Sequence, residues 1–214
     1  MGQKDLTPGT PKTEGVVRSS NAVTFRSWSL ENGPVRVDQL TDGWSRIEEF
    51  LEEGDVAGAA HRLRHTAEWF MREACHQLNA EVQFKSDGRW MLGDFVNPCL
   101  SRFKAVLKQA KRAGQWWGND IEPINELDSQ RSEISGRLHD ELGMVSPNVH
   151  FNENQWATFS TEEMREVVEV FKDLYDALWC DECGSCLHVM EEDYREVMLR
   201  CRCTRKANWT LEEA

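Results

Sequence analysis

The chain has 214 residues, 40% of them apolar, with a formal net charge of −12 and seven cysteines. That length suits one moderate domain plus a small module, with enough apolar side chains to form a core. The acidic balance argues against a general nucleic-acid coat, no apolar run approaches the roughly 20 residues needed to cross a bilayer, and the polar start lacks the charged-then-apolar order of a signal peptide; the expectation is a soluble, cytoplasmic chain with no membrane partner.

Residues 1–37 mix Gly, Pro, Ser and Thr with scattered charge and show no sustained period. They read as a flexible N-terminal arm that buries too little apolar surface to offset the entropy of ordering. Val23, Phe25, Trp28 and Leu30 form one apolar group in it, suited to packing on the domain or on a partner. A helical domain is expected over residues 38–179. Its first helix covers residues 41–53, with Gly54 in the stop position. Asp55 caps a second helix, in which Val56, Ala60, Leu63, Ala67, Phe70, Ala74 and Leu78 recur at steps of three and four and draw one continuous apolar stripe. Residues 81–85 and 89–92 flank Ser-Asp-Gly and read as a small hairpin, because Asp-Gly supplies the positive φ of its turn.

Asn97 and Pro98 are placed at the start of a third helix that Gly114 ends, with Leu100, Phe103, Leu107 and Ala110 inside. Ile121, Ile124, Leu127, Ile134, Leu138 and Leu142 mark a fourth, with Pro123 in its first turn and Gly136 weakening its interior by about 1 kcal/mol. Residues 146–159 read as an Asn-rich loop with Pro147 as the breaker. Ser160 and Glu163 form a capping box for a last helix on Met164, Val167, Val168, Phe171, Leu174, Tyr175 and Leu178, which runs directly into Cys180.

There Cys180 and Cys183 stand as Cys-x-x-Cys, and Cys201 and Cys203 as Cys-x-Cys, separated by two β-prone runs around Glu191-Glu192-Asp193. A hairpin would bring both pairs together, so that four thiolates close tetrahedrally on one Zn2+. Gly184 suits the tight turn around such an ion. Cys186 or His188 could replace one of the second pair, although strand alternation more simply makes Cys186 a small apolar residue. A closed four-thiolate site has no open coordination position, so the metal is expected to be structural. The fold class is then mainly α: a helical bundle with one small β-hairpin, followed by a C-terminal zinc ribbon over residues 180–208 and a tail over 209–214. An odd number of cysteines at metal spacing also points to a reducing compartment without disulfides.

Charge is unevenly distributed. Residues 61–112 hold ten Lys/Arg against five Asp/Glu, whereas residues 113–200 hold six against twenty. Arg102, Lys104, Lys108, Lys111 and Arg112 fall mostly outside the apolar stripe of the third helix, and with Trp116 and Trp117 behind them they are candidates for nucleic-acid binding. On the second helix, Arg64 and Glu68 are one turn apart and can pair. If the loop over residues 146–155 folds across that helix, Arg64 instead meets His150; an Arg holding a phosphate and a His moving a proton suit metal-independent RNA cleavage by the 2′-hydroxyl. The sequence contains no Gly-rich phosphate loop, no serine elbow and no His-Glu-x-x-His helix.

Leu63-Arg64 with Glu68, the preceding GDVAGAAHRLR, the stretch DGRWMLGDF and the late NVHFN together resemble the helical C-terminal regions of bacterial phage-defence and DNA-repair-associated ATPases, over residues 54–178. In relatives such as the anticodon-nuclease ATPases, a similar region belongs to the HEPN class of ribonucleases. HEPN nucleases place a histidine four to six positions after a catalytic arginine, and neither Arg137 with His150 nor Arg131 with His139 has that spacing. The resemblance implies an accessory role beside a separate protein partner, an ATPase or nuclease subunit, because no ATPase motor lies in this chain. The expected function is therefore a zinc-ribbon-containing interaction protein of a bacterial defence or DNA-maintenance assembly. The alternatives are a HEPN-like ribonuclease using Arg64 and His150, and a nucleic-acid-binding protein using the basic helix and the ribbon.

Overall fold

A computed structural model describes residues 25–29, 33–36, 41–86, 90–149, 160–192 and 196–213. The chain divides into a unit ending at Asp38 and one running from Gln39 onward. In the first, β1 (Phe25–Ser29) pairs antiparallel with β2 (Gly33–Arg36), with a bulge between Phe25 and Ser27. The segment read as an arm thus contains a short strand pair, and β1 includes Phe25 and Trp28 of the apolar group that stood out in the sequence, while Val23 and Leu30 lie outside the described residues.

The second unit is mainly α. Its helices are α1 (Thr41–Glu52), α2 (Val56–Gln77), α3 (Leu92–Trp117), α4 (Glu122–Val149) and α5 (Thr161–Leu178). The turn between α1 and α2 follows from two residues. Gly54 takes φ +73°, and the Asp55 carboxylate accepts the Gly58 N–H at 2.8 Å, satisfying one of the N–H groups that a helix start leaves unpaired. α2 ends on a left-handed Asn79, φ 56°, and the Ala80 N–H returns to the Cys75 carbonyl at 2.8 Å. Ser160 and Glu163 form the expected reciprocal cap on α5.

α2 packs against each of the other helices, and its apolar stripe is the centre of the core: Leu63, Ala67, Phe70, Met71 and Ala74 are all buried. Phe103 of α3 and Phe171 of α5 are fully buried beside it. An aromatic ladder links α1 to the end of α5, with Trp44 edge-on to Tyr175 at 5.8 Å and Tyr175 stacked on Trp179 at 5.3 Å.

Four local expectations are corrected. Residues 81–85 form no strand, and Leu92 is already helical. The Asp94 carboxylate accepts the Met91 N–H at 2.7 Å and binds Lys85 Nζ at 2.6 Å, so the cap is Met91, seven residues before Pro98, which lies inside α3. Gly114 does not end α3 either. Gly118 does, at φ +68°, with the Asn119 N–H on the Gly114 carbonyl at 2.8 Å. Gly114 is buried because Ile121 closes over it: a Cβ there would lie 2.8 Å from Ile121 Cγ2. Finally, α4 continues past Ser146 and Pro147 to Val149: proline's fixed φ is itself helical, although its missing N–H and the clash of its ring with the carbonyl four residues back both oppose continuation.

Candidate metal centre

α5 delivers its last turn straight into the cysteine module. β3 (Trp179–Cys180) pairs with β4 (Ser185–Cys186), Cys180 opposite Ser185. Between them Gly184 takes φ +59° and its N–H reaches the Cys180 carbonyl at 2.8 Å, a turn that puts the Cys180 and Cys183 sulfurs on one side. β5 (His188–Glu192), β6 (Glu196–Arg200) and β7 (Asn208–Thr210) form an antiparallel sheet in that order, with His188 opposite Arg200. After β6 the second cysteine turn closes through the Thr204 N–H on the Cys201 carbonyl at 3.1 Å, with Thr204 itself at φ 60°.

These two turns face each other. The sulfurs of Cys180, Cys183, Cys201 and Cys203 all lie within 4.8 Å of one another. Cys203 Sγ is 3.6 Å from Cys180 Sγ and 3.7 Å from Cys201 Sγ. Four thiolates held tetrahedrally by bonds of about 2.3 Å would have sulfur–sulfur edges of about 3.8 Å, so the residues present fit one metal ion. All seven cysteines are free thiols.

The electrostatics of the set agree with the geometry. Burial, with neighbouring thiols adding to it, pushes the Cys180 thiol up to about 12. Burial acts the same way on Cys183, but hydrogen bonds from the Ser185 hydroxyl and from Cys203 outweigh it and bring Cys183 down to about 6. Cys201 is also lowered, because the Ala207 and Lys206 backbone groups beside it outweigh its burial. The Lys206 N–H donates to Cys201 Sγ at 3.4 Å and the Ser185 hydroxyl sits 3.1 Å from Cys183 Sγ. Four mutually adjacent thiols cannot all ionise unaided, and a cation is what removes that repulsion.

Cys186 and His188 stand outside this set. Cys186 is buried, and burial raises its thiol to about 12, so it stays protonated and packs as a small apolar residue. His188 Nδ1 lies 3.3 Å from the Cys186 carbonyl. The supports at Ser185 and Lys206 were not singled out in the sequence. A Ser two places after a ligand is a weak cue, and a backbone N–H leaves none.

The other candidates are scattered. Arg64 pairs with Glu68, Nε to Oε1 at 2.8 Å, as its spacing suggests. Beside it the His61 and His65 rings meet at 4.6 Å, and burial together with His61 holds the His65 imidazole below its ordinary value. His150 lies outside the described residues, so Arg64 is placed without it. On α3, Lys104, Lys108 and Arg112 are exposed and Lys111 half-exposed, and none of the four forms an ion pair among the described residues. Arg102 differs from them: its Nε donates to the Leu78 carbonyl at 2.9 Å, closing the C-terminal end of α2. Trp116 and Trp117 are 61% and 55% exposed, with Trp117 Nε1 donating to the Glu212 carbonyl at 3.1 Å. Among the described residues no helix is long and apolar enough to cross a membrane. Compared with protein-family models, curated proteins and solved structures, the chain matches none.

Proposed function

We propose that this chain is a zinc-ribbon-containing accessory protein that engages a protein partner, an ATPase or nuclease subunit, within a bacterial defence or DNA-maintenance assembly. The observation that supports the zinc centre is the mutual approach of four thiols at tetrahedral spacing. A softer, sulfur-only donor set favours Zn2+ over oxygen-seeking cations, and four protein ligands leave no position for a reacting water. The metal therefore holds a ribbon in place, and the ribbon and bundle together offer a surface. The assembly is inferred from the resemblance of the helical region.

Two measurements test the two parts. Protein purified without added metal should carry one zinc per chain by elemental analysis; iron or no metal in its place refutes the zinc assignment. Tagged chain captured from its host in parallel with and without nuclease treatment should retain an ATPase or nuclease subunit in fixed stoichiometry in both. Recovery of nucleic acid alone would refute the accessory role.

A second reading rests on α3. Lys104, Lys108 and Lys111 recur at four and three residues, which places them on one exposed face, and such a row can follow a phosphate backbone. Reversing Lys104 and Lys108 to Glu would abolish binding by this route.

A further inference from the structure

A cavity of about 480 Å³ lies between α2 and the cysteine module. Its wall on the helix is a single stripe, Trp69, Glu73 and Gln77, spaced four residues apart. The facing wall belongs to β5 and β6, where His188 and Arg200 sit directly opposite each other across the ladder, and Arg202 follows two residues on. Trp179, whose ring stacks on Tyr175, closes the end nearest α5. In a chain of net charge −12, this is a place where two guanidinium groups and an imidazole meet two indoles.

We propose that this cavity binds a nucleobase together with its phosphate, as a free nucleotide or as one unit of single-stranded nucleic acid. Each part of the lining answers one part of that ligand. Indole faces accept any base by stacking. Guanidinium groups match phosphate oxygens in a planar fork. His188 Nδ1 lies 3.3 Å from the Cys186 carbonyl, which can only accept, so Nδ1 carries the proton there and Nε2 is left for the ligand. Glu73 accepts from Gln77 Nε2 at 2.7 Å through one oxygen. Its other oxygen can accept from the exocyclic amino group of a base. The volume falls in the range of small-molecule sites, roughly 300–1,000 Å³. The cysteine turns fix one wall, since Gly184 and Ser185 also line the cavity.

The test uses the full zinc-loaded chain with a fluorescein-labelled ten-nucleotide oligo(A) RNA, read by fluorescence anisotropy, and with AMP, used unlabelled as a competitor and titrated alone by calorimetry. Both Arg202→Glu and Trp69→Leu should weaken oligomer binding by roughly tenfold to a hundredfold. Lys104→Glu with Lys108→Glu, on α3, should leave most of it. Competition by AMP identifies the free nucleotide as a sufficient ligand, and binding of the oligomer without competition identifies the strand. Two results overturn the proposal: neither probe binds the zinc-loaded chain, or binding is lost in the α3 variant and kept in both cavity variants. Trp69 lies far in sequence from the cysteines, so its variant still decides the matter if Arg202→Glu loses zinc.

Discussion

Replacing Cys201 by Ser is the sharpest probe of the metal centre, because Cys201 is fully buried and its sulfur is in contact with both Cys203 and the Lys206 N–H. A structural Zn2+ contributes an apparent 10–16 kcal/mol in small zinc-dependent domains at neutral pH. Shared evenly over four thiolates, one thiolate corresponds to about 2.5–4 kcal/mol, a loss of roughly a hundredfold to a thousandfold in zinc affinity. A serine hydroxyl stays protonated near pH 7 and cannot replace that charge. Competition against a chromophoric chelator measures the affinity directly, and Cys186→Ser supplies the control. Cys186 is also buried but lies outside the four-sulfur set, so its variant should lose stability through a buried hydroxyl while zinc affinity stays unchanged. Equal zinc affinity in Cys201→Ser and the parent chain, or equal losses in the two variants, would refute the assignment of ligands.

Asp94→Ala should cost about 1 kcal/mol in urea unfolding, since it removes the cap of α3 and the partner of Lys85. The Lys85 ammonium, and after it the Met91 N–H, hold the Asp94 carboxyl below its ordinary value. The contribution is therefore complete above the unfolded value and fades as pH falls below about 4, a slope that the Ala variant should lack. Arg102→Met should lower stability by about 1–2 kcal/mol, because the Leu78 carbonyl at the end of α2 loses its donor, and should leave any oligonucleotide affinity unchanged. Gly136→Ala should stabilise by about 1 kcal/mol, as its Cβ meets nothing within 4 Å. Gly114→Ala should forfeit the same gain, with overpacking against Ile121 costing about 1–3 kcal/mol; equal unfolding midpoints for the two glycine variants would contradict this.

The helices that could be read from the sequence are those whose apolar stripe and caps agree. α2 has Asp55 before it and a left-handed residue after it, and α5 has Ser160 and Glu163; both begin where local chemistry places them. α3 misleads because two local cues, Pro98 and Gly114, serve other ends. Asp94 caps the chain earlier by reaching back to Met91, and Gly114 is small for the sake of Ile121, a tertiary contact that no window of sequence contains. Arg102 illustrates the same limit among charges. Its spacing puts it with Lys104 and Lys108, but one carbonyl 24 residues earlier decides its role. The four cysteines were legible because metal ligation constrains residue type and spacing together. The cavity was not, because Trp69 and Arg202 are brought together by the packing of the ribbon on α2.

That packing also shows what a metal at this point of the chain would do. Leu187, Leu199 and Ala207 are buried in the same cluster as Leu63 and Phe103, so the cysteine module has no separate core and completes that of the bundle. Its hydrogen bonds to the bundle come from both of its ends: the Leu187 N–H on the Leu178 carbonyl at 2.7 Å, Lys206 on the Asp176 carbonyl, and, beyond β7, Trp117 Nε1 on the Glu212 carbonyl at 3.1 Å. Short strands of two, five and three residues cannot set their own register against such a surface. One ion shared by the turn after α5 and the turn after β6 would remove that freedom, because it would fix the start of the module to its end. Thr210 pairs with Met198 and the Glu212 carbonyl accepts Trp117 Nε1, so the stretch read as a tail carries the ribbon's last strand and ties it to the end of α3.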